Sequence, residues 1–341
     1  MKLPYKFYRN LFDFDHDKIA QNGHVDITLF DIKRSMLTVG QIPWNKGVPL
    51  EILKWKIKII EAHINALESS VKIKNIKYLE STEKVTISFY IGMTFAQLIS
   101  EKLYNIKHLY HLNSHNDERF EINKLAKSPD LIGINEKSLG AKPFLIEAKG
   151  SSISQKKFPY ARVEAATKQL DSVNNIKFTH NNNIYFKKDI NKLVIATHPL
   201  KSEELITQII DPVGEGELDI VVNSDVSLLN YYFTIMSLIE NSKEEPSIYV
   251  INDIEFQISY IKDLNLYIGL SKKIYTILHN SFIIRYYENY LSVDGIYMES
   301  IEVLNRYDEQ IDFIQRTNTT DDFSIGKDGV LLFSNLKDIN K

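Results

Sequence analysis

The sequence predicts an α/β protein with a mixed sheet flanked by helices, and three observations predict it. Short apolar runs rich in β-branched residues recur at strand length, at 131–134, 144–146, 183–187 and 193–197. Segments with apolar residues three and four apart lie before and between them, at 49–71, 93–110 and 159–173. The chain has 341 residues, 44% hydrophobic and 25% charged, an ordinary globular balance long enough for an elaborated core with appended regions. We expect that core at 86–200, after an N-terminal helical and aromatic extension at 1–85 and before a C-terminal α+β region at 201–341.

In chain order, Asp13, Asp15 and Asp17 read as a solvated turn, because the glycine and terminal glutamate of a calcium loop are missing. Pro49 suits a first helical turn, and Leu53, Ile57, Ile60, Ile64 and Leu67 then share one face. Lys54, Lys56 and Lys58 on this helix read as a solvated face. Residues 84–91, β-branched and aromatic, predict a strand that Gly92 ends. Gly92, Ala96, Ile99, Leu103 and Ile106 then stripe a second helix, with Glu101 on its flank, and His108 and His111 pack at its aromatic end. After a polar stretch at 113–127, the runs 131–134 and 144–146 form a hairpin through a turn at 135–142. The helix after Pro159 presents Val163, Ala166, Leu170 and Val173. Farther on we expect a helix near 202–210, a strand at 218–222, a helix at 228–240, strands over 247–260, more helix, and a last hairpin over 323–333 turning at Lys327-Asp328-Gly329.

Composition removes whole classes of chemistry. With no cysteine there is no disulfide, thiolate zinc site or cysteine nucleophile, so any metal is held by oxygen or histidine. A net charge of −3 does not suit a protein that coats nucleic acid by charge alone, whereas a metal-dependent enzyme needs only one local basic strip. No apolar run approaches the roughly 18 residues of a membrane span, and the start mixes Lys2, Lys6 and Arg9 with aromatics. A cytoplasmic location without a membrane partner is the expectation.

The chemistry concentrates on the hairpin. Residues two apart on a strand share a face, so Glu147 and Lys149 project together, and a hairpin closing about Ser138 and Leu139 sets Asp130 opposite Glu147. Two buried carboxylates that close repel, and a divalent cation between them removes the conflict. Oxygen-only ligation suits Mg²⁺, with Mn²⁺ as the alternative, and the Ala148 carbonyl is a candidate third ligand. Lys149 is then placed to orient water or steady charge on phosphorus. Lys156, Lys157, Arg162 and Lys168 form a basic strip beyond the strand, a candidate nucleic-acid contact. The bland alternatives are a same-face ion pair for Glu147 and Lys149 and a solvated helix surface for the strip.

These residues, Pro129-Asp130, Leu131-Ile132-Gly133-Ile134, and Phe144-Leu145-Ile146-Glu147-Ala148-Lys149-Gly150, resemble the motif of the PD-(D/E)xK, or restriction-endonuclease-like, nuclease superfamily. The resemblance covers roughly 90–200 and implies an αβββαβ core, Asp130 and Glu147 as Mg²⁺ ligands, and Lys149 assisting catalysis. It also makes Glu101, on the helix before the sheet, and Gln169, on the helix after it, candidate site residues. A tyrosine found in the RecB-like branch is replaced here by Val173. The expected function is phosphodiester hydrolysis, in DNA, in a restriction or anti-phage defence setting, with self-association or a partner protein of a multi-component system as further expectations. A binding module on a nuclease-like fold, and a ribonuclease or toxin using the same site, stay open.

Overall fold

The computed structural model describes residues 1–39, 50–66, 69–112, 120–122, 127–134, 142–179, 183–212, 218–240, 242, 246–251, 253–279 and 323–334. The expected hairpin turn lies almost wholly outside them. The fold is mixed α/β, and the chain forms two compact units: one of 1–27 with 59–224, the other of 28–58 with 225–341. The boundaries anticipated after residues 85 and 200 both fall inside the first unit.

The first unit is organised by a seven-stranded sheet. Its strands are β1 (Lys2–Tyr8), β2 (Gln21–Asp26), β3 (His108–His111), β4 (Leu131–Ile134), β5 (Phe144–Gly150), β6 (Asn191–Pro199) and β7 (Leu205–Ile210). They lie in the order β2-β1-β7-β6-β5-β4-β3. β5 runs parallel to β6 and β1 parallel to β7, and the other neighbours are antiparallel, so the sheet is mixed. Helices α1 (Ser81–Tyr104) and α2 (Tyr160–Asp171) both pack on β5 and β6. With its central strands covered, β7 is buried at every residue, its polar Thr207 and Gln208 included. A smaller sheet joins Ile184–Phe186, Val173–Phe178, Leu218–Val222 and Phe120–Ile122.

Several expectations are corrected. Residues 84–91 are helical, because α1 starts on a capping box in which Glu83 accepts from the Glu80 N–H at 2.8 Å, and Ile87, Ile91, Phe95 and Leu98 then bury one continuous face. The β-branched content of this stretch is a weaker determinant than the face it buries. The expected helix near 202–210 is strand β7, in which Leu205, Ile206, Ile209 and Ile210 flank Thr207 and Gln208, a stretch too short for its period to separate helix from strand. The 1–85 extension is not only helical, since β1 and β2 complete the main sheet. Its long helix is Leu50–His63, and Ile64 already belongs to a strand. His108 and His111 sit on β3 instead of a helix end, and Val173 opens a strand instead of closing α2. The polar stretch contains the strand Phe120–Ile122.

The second unit has its own antiparallel five-stranded sheet, ordered Ser247–Ile251, Ile254–Ile261, Leu266–Ser271, Val330–Phe333, Phe323–Ile325. Phe256, Ile258, Leu331 and Phe333 fill one face. The terminal hairpin forms as expected, with Gly329 at φ 77° in its turn. Buried Arg34 lies 3.9 Å from Asp31 and 3.7 Å from Asp328, and donates to Ser324 at 2.8 Å, which fastens the Leu29–Thr38 helix to that hairpin. Among the described residues no helix is long and apolar enough to cross a membrane.

One contact fixes where α1 meets the sheet. A Cβ on Gly150 would sit 1.8 Å from the Ser88 carbonyl oxygen and 2.4 Å from the Gly92 nitrogen, and one on Gly92 would sit 2.7 Å from the Gly150 nitrogen. Gly92, expected to end a strand and open the second helix, is a mid-helix residue that lets two backbones touch. Gly150→Ala should therefore lower stability by about 3 kcal/mol or more, because only backbone atoms can yield. Gly23→Ala, which meets the hydroxyl end of the movable Tyr5 side chain at 3.0 Å, should cost far less. Urea midpoints of the two variants against the parent check this.

Candidate active site

The site forms where the β4–β5 ladder ends. Its pairs are Leu131 with Ile146, Ile132 with Leu145, and Gly133 with Phe144, so the next step sets Asp130 beside Glu147, the register expected from the sequence. There the side chains take over the ladder. The Asp130 N–H donates to Glu147 Oε2 at 3.0 Å, and the Ala148 N–H donates to Asp130 Oδ2 at 3.0 Å. Each carboxylate is thus held by the other strand's backbone. The Leu112 N–H donates to the Asp130 carbonyl at 2.9 Å and pins the residue from its other side.

Lys149 closes the group. Its Nζ donates to Glu147 Oε1 and lies 3.7 Å from Asp130 Oδ2. The Glu147 side chain is 1% exposed, Lys149 20% and Asp130 31%, so the three step outward from core to cleft. Burial, with the Asp130 charge second, pushes the Glu147 carboxyl up to about 7; Lys149 and the Asp130 N–H oppose the shift.

The donor chemistry suits a hard divalent cation, which would relieve the repulsion that burial leaves between Asp130 and Glu147. Ala148 donates its N–H to Asp130 and lines the cleft. Among the described residues no group of three or more His, Cys, Asp or Glu could hold an ion. A bound ion would depend on two carboxylates, the Ala148 carbonyl, and oxygens from solvent or substrate, the mixed shell Mg²⁺ tolerates.

A hollow of about 560 Å³ opens beside Asp130 and Lys149. Its far wall is the first two turns of α1, including Lys84, Ser88 and Phe89, with Ser152 and Arg162 nearby. Ser88 Oγ accepts from the Ser152 N–H at 2.9 Å, so the loop after β5 is tied to the helix. Lys84 and Ser88 escape sequence reasoning because 84–91 looks like a strand, and without that helix the tie of Ser152 to it is not visible either. The signal that would have placed them is the capping pair Glu80 and Glu83.

The remaining candidates separate. Gln169 donates to the Ser128 carbonyl at 3.2 Å, two residues before Asp130, and so supports the approach to the motif. Glu101 is buried on α1 about 13 Å beyond Gly92 by helical rise, and is not among the residues lining the cleft. Arg162 lines the cleft, donates to the Gly150 carbonyl at 3.2 Å and lies over the Phe158 ring. Lys168 pairs with Glu164 at 3.1 Å on the surface of α2, and Lys156 is exposed. Lys157 donates to the carbonyls of Phe14 and Asp15 and covers the Phe14 ring, closing the end of the short helix Leu11–Asp15.

Comparison of the chain with protein-family models, with curated proteins and with solved structures finds no match.

The raised Glu147 pKa has a definite consequence without metal. Below about pH 4.5, the ordinary glutamate value, folded and unfolded chains are both protonated; as pH rises toward 7 only the unfolded chain has released its proton. The stability carried by the protonated form is lost across that window, on the order of 3 kcal/mol. In EDTA, wild-type protein should lose urea resistance between pH 4.5 and 7, and Glu147→Gln should not. Parallel curves for the two proteins would refute a strained carboxylate.

Proposed function

We propose that this chain is a metal-dependent phosphodiesterase acting on nucleic acid, with DNA as the expected substrate. The observation that carries the proposal is the Asp130–Glu147 pair laced together at a strand end, with Lys149 beside both at the wall of a partly basic cleft. Counting only the main sheet and the two helices packed on it, the order α1, β3, β4, β5, α2, β6 matches the αβββαβ order that the motif's resemblance implies and supports a restriction-endonuclease-like core; the strands Phe120–Ile122, Val173–Phe178 and Ile184–Phe186 of the smaller sheet are inserted into it. A same-face ion pair on an exposed strand does not account for a Glu147 with no exposed surface.

In this reading Asp130, Glu147 and the Ala148 carbonyl hold Mg²⁺ or Mn²⁺. The ion supplies positive charge at the scissile phosphate when bound. Lys149, the partly exposed member, meets a phosphate oxygen or the attacking water and stabilises charge that develops on the phosphorus oxygens. Asp130 and Glu147 stay where their backbone hydrogen bonds keep them, so little reorganisation accompanies the reaction. Arg162, held over Phe158 and against the Gly150 carbonyl, adds a fixed cation at the same wall.

Incubation of the purified chain with Mg²⁺ and circular duplex, linear duplex, single strands and RNA tests the proposal and separates a deoxyribonuclease from a ribonuclease. Asp130→Ala and Glu147→Ala should each abolish cleavage, while Lys149→Ala should lower the single-turnover rate about a hundredfold or more. Calorimetry should show Mg²⁺ affinity kept or slightly raised in Lys149→Ala, since a neighbouring positive charge is gone. Normal cleavage by any of the three would return the cluster to a structural ion pair.

A further inference from the structure

The cleft does not end at the motif. A second hollow, of about 640 Å³, is lined by Lys74, Lys77, Tyr78 and Glu203, and it shares Lys84, Ser152 and Ile153 with the hollow beside Asp130 and Lys149. The two hollows adjoin at those shared residues, beside the start of α1, and are together called the groove. Its cations are Lys74, Lys77, Lys84, Lys149 and Arg162, against the carboxylates of Asp130 and Glu203. Tyr78 is 75% exposed and Phe89 54% exposed, one in each hollow. Lys77 Nζ lies 5.0 Å from the centre of the Tyr78 ring and keeps a cation at that platform.

We propose that this groove holds a single-stranded nucleic-acid segment leading to the cleavage site, with bases stacked on Phe89 and Tyr78 and phosphates met by Lys84 and Lys77. The proposal rests on the phosphodiesterase reading for its direction toward Asp130 and Lys149, and adds the substrate class. An exposed aromatic face can take an unstacked base of any sequence. Bases in a duplex are stacked on one another and offer only their edges, so they have no use for such platforms. Alternation of aromatic and cationic side chains along a groove is the arrangement that sequence-tolerant single-strand binding requires. The groove lies on the α1 side, whereas Lys157 and Lys168 are engaged elsewhere.

The test is fluorescence anisotropy in EDTA, where hydrolysis is off, with labelled oligo(dT), oligo(U), and a hairpin duplex of equal phosphate number. The full chain should bind oligo(dT) or oligo(U) more tightly than the hairpin. Tyr78→Ala and Phe89→Ala should each weaken single-strand binding about tenfold with an unchanged salt slope. Lys77→Ala and Lys84→Ala should each flatten that slope by about 0.7. Urea midpoints near the parent's show that the variants are folded. Equal or tighter binding of the hairpin, with the aromatic variants binding as the parent does, overturns the groove even if Mg²⁺-dependent cleavage is intact. Tight, aromatic-dependent single-strand binding supports the groove even if no substrate is cleaved, an outcome that would fell the phosphodiesterase reading alone.

Discussion

An almost fully buried carboxylate, Glu147, sits at the end of an antiparallel ladder and accepts a hydrogen bond from the Asp130 N–H of the facing strand. Much of the first unit is arranged around that fact. Asp130 must stand directly across from it for the exchange of amide bonds, which fixes the β4–β5 register, because a slip of one residue would turn every side chain to the opposite face. Lys149 must then be two residues on, the shortest spacing on a strand that returns to the same face. Burial of the acid is offset by one ammonium and one backbone donor, and the remaining imbalance is the raised Glu147 pKa.

The second constraint is steric. Gly92 and Gly150 let α1 lie with its backbone on that of β5, closer than any side chain allows. This brings Ser88 to Ser152 and Lys84 to the cleft beside Lys149. The same approach forms the junction between the two hollows of the groove. A chain with the motif intact but a larger residue at either glycine would keep its charges and lose the wall that faces them.

The motif, the face shared by Glu147 and Lys149, the facing of Asp130 and Glu147, the strand at 218–222 and the terminal hairpin are all legible from residue order. They depend on interactions within a few residues or across one turn, where the two-residue period of a strand leaves few choices. The strand reading of 84–91 fails for a physical reason as well. Isoleucine, valine and threonine suit either element, and a buried face, visible only over the full length of α1, decides between them.

What the sequence by itself determined is therefore the residue chemistry and its local spacing: carboxylates and no thiolate, with an acid, an acid and a lysine on two neighbouring strands. The tertiary structure decided what surrounds them. The partners of Lys157 lie 142 and 143 residues away, and β1 joins β7 across the whole of the first unit. Such contacts leave no period in the chain, since their ends are brought together by packing and not by spacing. For the same reason the glycine contact, the serine bridge and the aromatic groove appear only once α1 is laid on the sheet.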